Sequence, residues 1–151
     1  MNRALFLTLL ISFTLPILAQ NQPVYAELSA DEQLSLVGIL LPDLIERFGS
    51  PRSVIAERGY EVWQDDVVFQ YNGADFYVYR DRIWQIKFAS TQGVSNGEPK
   101  AAVLLALGNN AEDRGDHILM PLTSKNWPLM LRVNFSDIGR VAAIFIYRPD
   151  F

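Results

Sequence analysis

Cysteine is absent from this 151-residue chain, and histidine occurs once. The first absence excludes disulfides, zinc–thiolate sites, cysteine nucleophiles and lipid attachment through an N-terminal cysteine. No run of Lys or Arg occurs and the net charge is −4. The chain therefore lacks the clustered positive charge that nucleic acid or an anionic membrane requires of a partner. It also has no glycine-rich loop leading from a strand into a lysine, so phosphate cradling has no frame. Half of the residues are nevertheless hydrophobic and a fifth are charged, which is enough to bury an ordinary core.

The amino terminus reads as an address. Met1-Asn2-Arg3 carries one positive charge, while Ala4 to Ala19 carries none and is dominated by Leu, Ile and Phe. Its length and flanks are those of a secretory signal. A bilayer-spanning helix needs about 20 apolar residues, and this run is shorter and holds Pro16. Val24-Tyr25-Ala26 has the residue sizes a signal peptidase accepts, so cleavage is expected after Ala26, with Ala19 as the alternative. The expected location is periplasmic or secreted. Without Arg3 the mature chain carries 12 basic and 17 acidic residues.

The chain then states one element twice. Gly38 to Gly49 reads GILLPDLIERFG and Gly97 to Gly108 reads GEPKAAVLLALG. A shift of 59 lays Leu41, Leu44, Ile45 and Phe48 over Lys100, Val103, Leu104 and Leu107, an apolar stripe at helical spacing. Pro42 fits a first helical turn, where its missing N–H has no partner to lose, and each closing glycine suits a left-handed cap. A shorter helix is expected over Ala30 to Val37, capped by Ser29 with Glu32 and turning Leu34 and Val37 inward.

After each repeated helix the hydrophobic period falls to two. Strands are expected over Val54 to Ala56, Tyr60 to Tyr71, Ala74 to Arg80 and Ile83 to Phe88, with Asn72-Gly73 as a type I′ turn. A second set is expected over Ile118 to Leu122, Trp127 to Phe135 and Arg140 to Arg148. Ala89 to Asn96 is small and polar, and reads as a linker. The expected fold class is α+β, with a signal peptide over 1–26 and two tandem helix-plus-antiparallel-meander units over 27–89 and 90–151. Units this small bury little surface alone, so they should share or pack their sheets.

Two glycines around ten residues, with an aliphatic at the sixth position and a large apolar residue before the second glycine, resemble the helix motif of the β-lactamase-inhibitor-protein-like (BLIP-like) superfamily. Outer-membrane assembly lipoproteins of the SmpA/OmlA type share it. The matching residues are Gly38, Leu44, Phe48, Gly49 and Pro51, and again Gly97, Val103, Leu107 and Gly108. Arg82-Ile83 with Ile86, and Arg140-Val141 with Ile144, match in the last strand of each unit. The resemblance implies tandem units of helix and antiparallel sheet, a secreted or periplasmic location, and protein binding across a sheet face. Leu40 and Pro99 stand where that superfamily often places a Ser or Thr cap.

Candidate chemistry is sparse. His117 has Asp113 and Asp116 nearby, a set that could ligate a metal or support acid–base work, although the stretch also reads as a charged loop. A serine nucleophile would need His117 as its base, and no Gly-x-Ser-x-Gly elbow is expected to hold one. Asp65-Asp66 would point to opposite faces of a strand and fit a turn or bulge better. Neither a catalytic residue nor a metal or cofactor is assigned, and the chain is read as a non-enzyme. In Ala74 to Arg80, Phe76 and Val78 should face the helices, leaving Tyr77 and Tyr79 on the open face. With Trp84, Phe145, Tyr147, Arg80 and Arg132 they compose a candidate protein-binding face, because aromatic and Arg anchors carry most interface energy. Trp63 leans to the core. The expected partner is another envelope or secreted protein. The competing expectations are a small secreted hydrolase or metal-dependent enzyme centred on His117, and a structural protein that associates with itself.

Overall fold

The computed structural model describes Tyr25, residues 28–58 and residues 66–150. Helix α1 (Ala30–Ser35) starts at the expected capping box: Glu32 N–H donates to Ser29 Oγ at 3.3 Å and Ser29 N–H to the Glu32 carboxylate at 2.9 Å. The Ser29 N–H bond, together with the Ser29 hydroxyl donating to the same carboxylate at 2.8 Å, holds the Glu32 carboxyl below its ordinary value.

Helices α2 (Leu41–Phe48) and α3 (Lys100–Leu107) have no side-chain cap. A hairpin does the capping instead. Leu41 N–H donates to Asp81 O at 2.8 Å and Lys100 N–H to Gly139 O at 3.0 Å, satisfying one of the amide donors that a helix start leaves open. The preceding glycines are held alike, Gly38 N–H by Ile83 O at 2.7 Å and Gly97 N–H by Val141 O at 2.8 Å. Their carbonyls take Arg82 Nη1 at 3.0 Å and Arg140 Nη1 at 2.8 Å. Gly38 and Gly97 adopt φ of 96° and 84°, which other residues resist. Each glycine-bounded helix is thus fastened by the same bonds to the hairpin that follows it.

Strands β1 (Ser53–Glu57), β2 (Asp66–Tyr71), β3 (Ala74–Tyr79) and β4 (Arg82–Phe88) form one meander. A small hairpin follows, β5 (Ser90–Thr91) with β6 (Val94–Ser95). After α3 come β7 (Glu112–Asp113), β8 (His117–Leu122), β9 (Leu129–Phe135) and β10 (Val141–Tyr147). Apart from the hairpin these strands build one antiparallel sheet in the order β1-β2-β3-β4-β10-β9-β8-β7. The two meanders meet last strand to last strand, with Ile86 opposite Ile146 and Lys87 opposite Phe145. Both central strands bulge near their starts, β4 at Trp84 and β10 at Ala142, where the register with β3 and β9 slips by one residue.

The three helices pack on one face of this sheet. Leu36, Leu44 and Val103 are fully buried there against Phe76, Ile86, Ile118, Leu131, Ile144 and Ile146. Leu44 and Val103 are partners under the sequence shift of 59. Tyr25 belongs to the same core, 4% exposed, its ring meeting Phe88 edge-on at 5.1 Å. The architecture is therefore α+β with a large antiparallel sheet and few helices.

Several expectations change. Residues 1–24, most of the signal reading, lie outside the described residues, as do Trp63 and the start of the expected strand Tyr60 to Tyr71, of which the part from Asp66 is seen. Strand β9 begins at Leu129, and Trp127 instead lies over Gly38. Ala89 to Asn96 is not a linker: Thr91 and Val94 alternate inward and Gln92-Gly93 turns the chain, with both φ positive at 53° and 76°. Asn72-Gly73 is not type I′, because only Gly73 has positive φ. Arg80, expected in a strand, falls with Asp81 in a turn where both φ are positive. No helix among the described residues is long and apolar enough to cross a membrane.

Candidate binding groove on the open sheet face

Strict alternation sends the other half of the side chains to the face opposite the helices. No described helix covers that face. Two residues on it are still buried, Val68 at 1% and Tyr77 at 5% exposure, and among the described residues they are the buried hydrophobic ones outside the helix-side core. They sit directly opposite each other in β2 and β3. Around Tyr77 the sheet is folded into a groove of about 460 Å³ lined by Glu57, Arg58, Asp66, Trp84, Gln85, Arg132, Asn134, Phe145 and Tyr147. That is within the range of small-ligand clefts, about 300–1,000 Å³.

Register explains the assembly. Tyr77 is opposite Gln85, which is opposite Tyr147, while Phe145 is opposite Arg132 on its other side. The bulge at Trp84 adds a second side chain to the groove end of β4. Tyr77 then meets Trp84 edge-on at 6.5 Å and Phe145 at 6.3 Å. Trp84 Nε1 donates to Asp66 Oδ1 at 2.9 Å, and Arg132 Nε to Asn134 Oδ1 at 2.8 Å, so both large side chains have polar tethers.

The groove floor has a definite electrostatic character. Burial raises the Tyr77 hydroxyl well above its ordinary value, and its hydrogen bond to Glu57 and the nearby charges of Glu57, Asp75 and Asp66 push the same way. Burial also raises Asp75, against the pull of Lys87, whose Nζ lies 3.7 Å from its carboxylate. The phenol is held neutral as a donor, with carboxylates and the guanidinium of Arg132 around it.

Of the seven residues proposed from sequence, Tyr77, Trp84, Phe145, Tyr147 and Arg132 line this one groove. Tyr79 and Arg80 do not; they stand at the β3–β4 turn with the Arg80 guanidinium 5.3 Å from the Tyr79 ring. Tyr77 is on the expected face but is buried, so it forms the floor and does not project as an anchor. Sequence reasoning missed Glu57, Arg58, Gln85 and Asn134, whose polar type carries no signal until the register is known.

The alternative centre does not gather. His117 Nδ1 is 2.7 Å from Asp116 Oδ1, but Asp113 turns to Lys100 Nζ at 2.6 Å and to Gly115 N–H at 2.9 Å. Among the described residues no three His, Asp or Glu side chains are grouped to hold a metal. The expectation that no Gly-x-Ser-x-Gly elbow occurs needs correcting in its letters, because Gly93-Val94-Ser95-Asn96-Gly97 has that pattern. Ser95, however, lies in extended strand β6 and lacks the positive φ of Gln92, Gly93 and Gly97, so it is not presented on a strained turn.

No protein-family model matches the chain, and no curated protein does. The chain has a likeness to two solved structures. One is an extracellular protein containing an SCP domain from Bacillus anthracis, with a TM-score of 0.50 and 15% identity over 81% of this chain and 47% of that one. This chain thus spans about half the length of that protein. The other is a DUF4309 family protein from Bacillus subtilis, with a TM-score of 0.45 and 14% identity over 72% of this chain and 78% of that one.

Proposed function

We propose that this is an exported, non-catalytic binding module that holds another envelope or secreted protein in the groove of its open sheet face. The observation that carries the reading is the convergence of Tyr77, Trp84, Phe145, Tyr147 and Arg132 on one concavity that no described helix covers. Aromatic walls give apolar contact at small conformational cost, and flanking charges set orientation. Because Tyr77 is the floor, a side chain of the partner enters the groove, and this chain contributes the socket.

The paired fastenings of Gly38 and Gly97 to Arg82 and Arg140 support a further reading of the architecture, two related units of the BLIP-like kind joined through β4 and β10. A periplasmic or secreted location follows from the signal-like first 19 residues.

The test is capture from the envelope and culture-medium fractions of the source organism, using wild type beside Trp84→Ala/Tyr147→Ala. The expected result is a protein retained by the wild type and lost by the still-folded variant. Equal retention by both removes the groove from the account. A second reading, self-association, is favoured by β1, an edge strand among the described residues, whose Val54 and Ile55 are 50% and 43% exposed. Sedimentation of wild type and Ile55→Lys separates the two: a dimer abolished by the lysine supports this second reading.

A further inference from the structure

The signal reading leaves two places for the cut, and a described residue lies between them. Tyr25 is 4% exposed and packs edge-on to Phe88 at 5.1 Å with ring planes at 90°. Phe88 is itself buried in β4, a central strand of the sheet. The Tyr25 hydroxyl accepts from Ser90 N–H at 2.9 Å and lies 3.4 Å from Ser90 Oγ. Its carbonyl accepts from Leu28 N–H at 2.9 Å, at the approach to α1. Its ring, hydroxyl and backbone are all engaged with the folded domain.

Cleavage after Ala26 removes that side chain. The Phe88 edge loses its ring partner, and Ser90 N–H loses its acceptor at a partly buried position. A domain that folds with Tyr25 in its core has to keep the residue. We propose that the signal is cut after Ala19, so that the mature chain begins at Gln20 and carries Tyr25 as a structural residue. The step is hydrolysis of the Ala19–Gln20 amide by a signal peptidase. Water supplies the hydroxyl of the new Ala19 carboxyl group and the proton of the new Gln20 amine. Ala19 provides the small residue required before the cut, and it closes the uncharged run that began at Ala4.

The experiment is export of the full precursor from a secreting bacterial host, followed by intact mass and amino-terminal sequencing of the released protein. The expected terminus is Gln20, read directly or in its cyclised form. A terminus at Glu27, or an uncut Met1, overturns the proposal. A second measurement separates structural need from peptidase preference, namely urea unfolding of chain 20–151, its Tyr25→Ala variant and chain 27–151. Both altered chains should favour the unfolded state on the order of a hundredfold more than chain 20–151. Equal stability of all three overturns the argument even if the terminus is Gln20.

Discussion

Replacing Gly38 and Gly97 by alanine, one at a time, separates two jobs that a glycine can do. Both have positive φ, and an alanine there costs about 1–2 kcal/mol of backbone strain, less whatever freedom the unfolded chain loses. At Gly97 nothing lies within 4 Å of the added Cβ, so strain is the whole effect, about 1 kcal/mol net. At Gly38 the Cβ would overlap Trp127 Nε1 and lie 3.0 Å from Cδ1 and Cε2 of the same ring. That indole cannot swing freely, since the Arg148 guanidinium rests 3.9 Å from its centroid and is itself bound to Asp150. Overpacking adds about 1–3 kcal/mol, giving roughly 2–4 kcal/mol for Gly38→Ala. In urea, with a slope of about 1–3 kcal/mol per molar, the two midpoints should differ by on the order of 1 M. Adding Trp127→Leu should recover the overpacking term, leaving a coupling of about 1–3 kcal/mol in the double-mutant cycle. Equal midpoints for the two alanine variants, or additivity of Gly38→Ala with Trp127→Leu, would refute the reasoning.

Three other outcomes are expected. Asp81 holds φ at 139°, a conformation natural only to glycine, so Asp81→Gly should raise stability by about 1 kcal/mol in urea unfolding; a loss would mean that the side chain makes a needed contact. Phe76→Ala, at a fully buried position between Phe48 and Tyr71, should cost about 3–5 kcal/mol, and a cost below about 1 kcal/mol would contradict its place in the core. An unfolded tyrosine ionises near about 10, and Tyr77 does so higher when folded. The stability from this group is therefore complete below that pH and falls as pH rises above it, because the unfolded chain releases a proton that the folded chain retains. Tyr77→Phe should flatten that alkaline slope while burial of Tyr71 leaves part of it, and an unchanged slope would contradict the assignment.

The repeated glycines were legible in sequence because the backbone demands them. Positive φ at Gly38, Gly49, Gly97 and Gly108 leaves little choice of residue, although Gly49 and Gly108 combine it with ψ of −161° and −155° and so are not the left-handed caps expected. The apolar stripe is clear in α2, apart from Ile45 at 40% exposure, whereas α3 is apolar nearly all round and leaves Leu105 86% exposed. The alternation in Ala74–Tyr79 likewise sorted Phe76 from Tyr77 correctly. What could not be read was anything set by distant pairing. The polar lining of the groove depends on which strands become neighbours, and Glu57 reaches Tyr77 across β2 through a register that composition does not encode. The β5–β6 hairpin was missed because Thr91 buries its hydroxyl by donating to Gln33 Oε1 at 2.8 Å, a partner 58 residues away. Ser and Thr in a short segment look like solvent-facing residues until such a partner is known. Arg80 was misplaced because a non-glycine pair in a positive-φ turn gives no turn signal.

The central claim is that a partner's side chain enters the groove. It is tested most directly by placing a photo-crosslinking amino acid at Phe145, which lines the groove, or at Leu105 on α3, which is 86% exposed and away from it. With the captured partner present, illumination should give a covalent adduct from position 145 and none from position 105. Adducts from both positions, or from position 105 alone, would contradict the account.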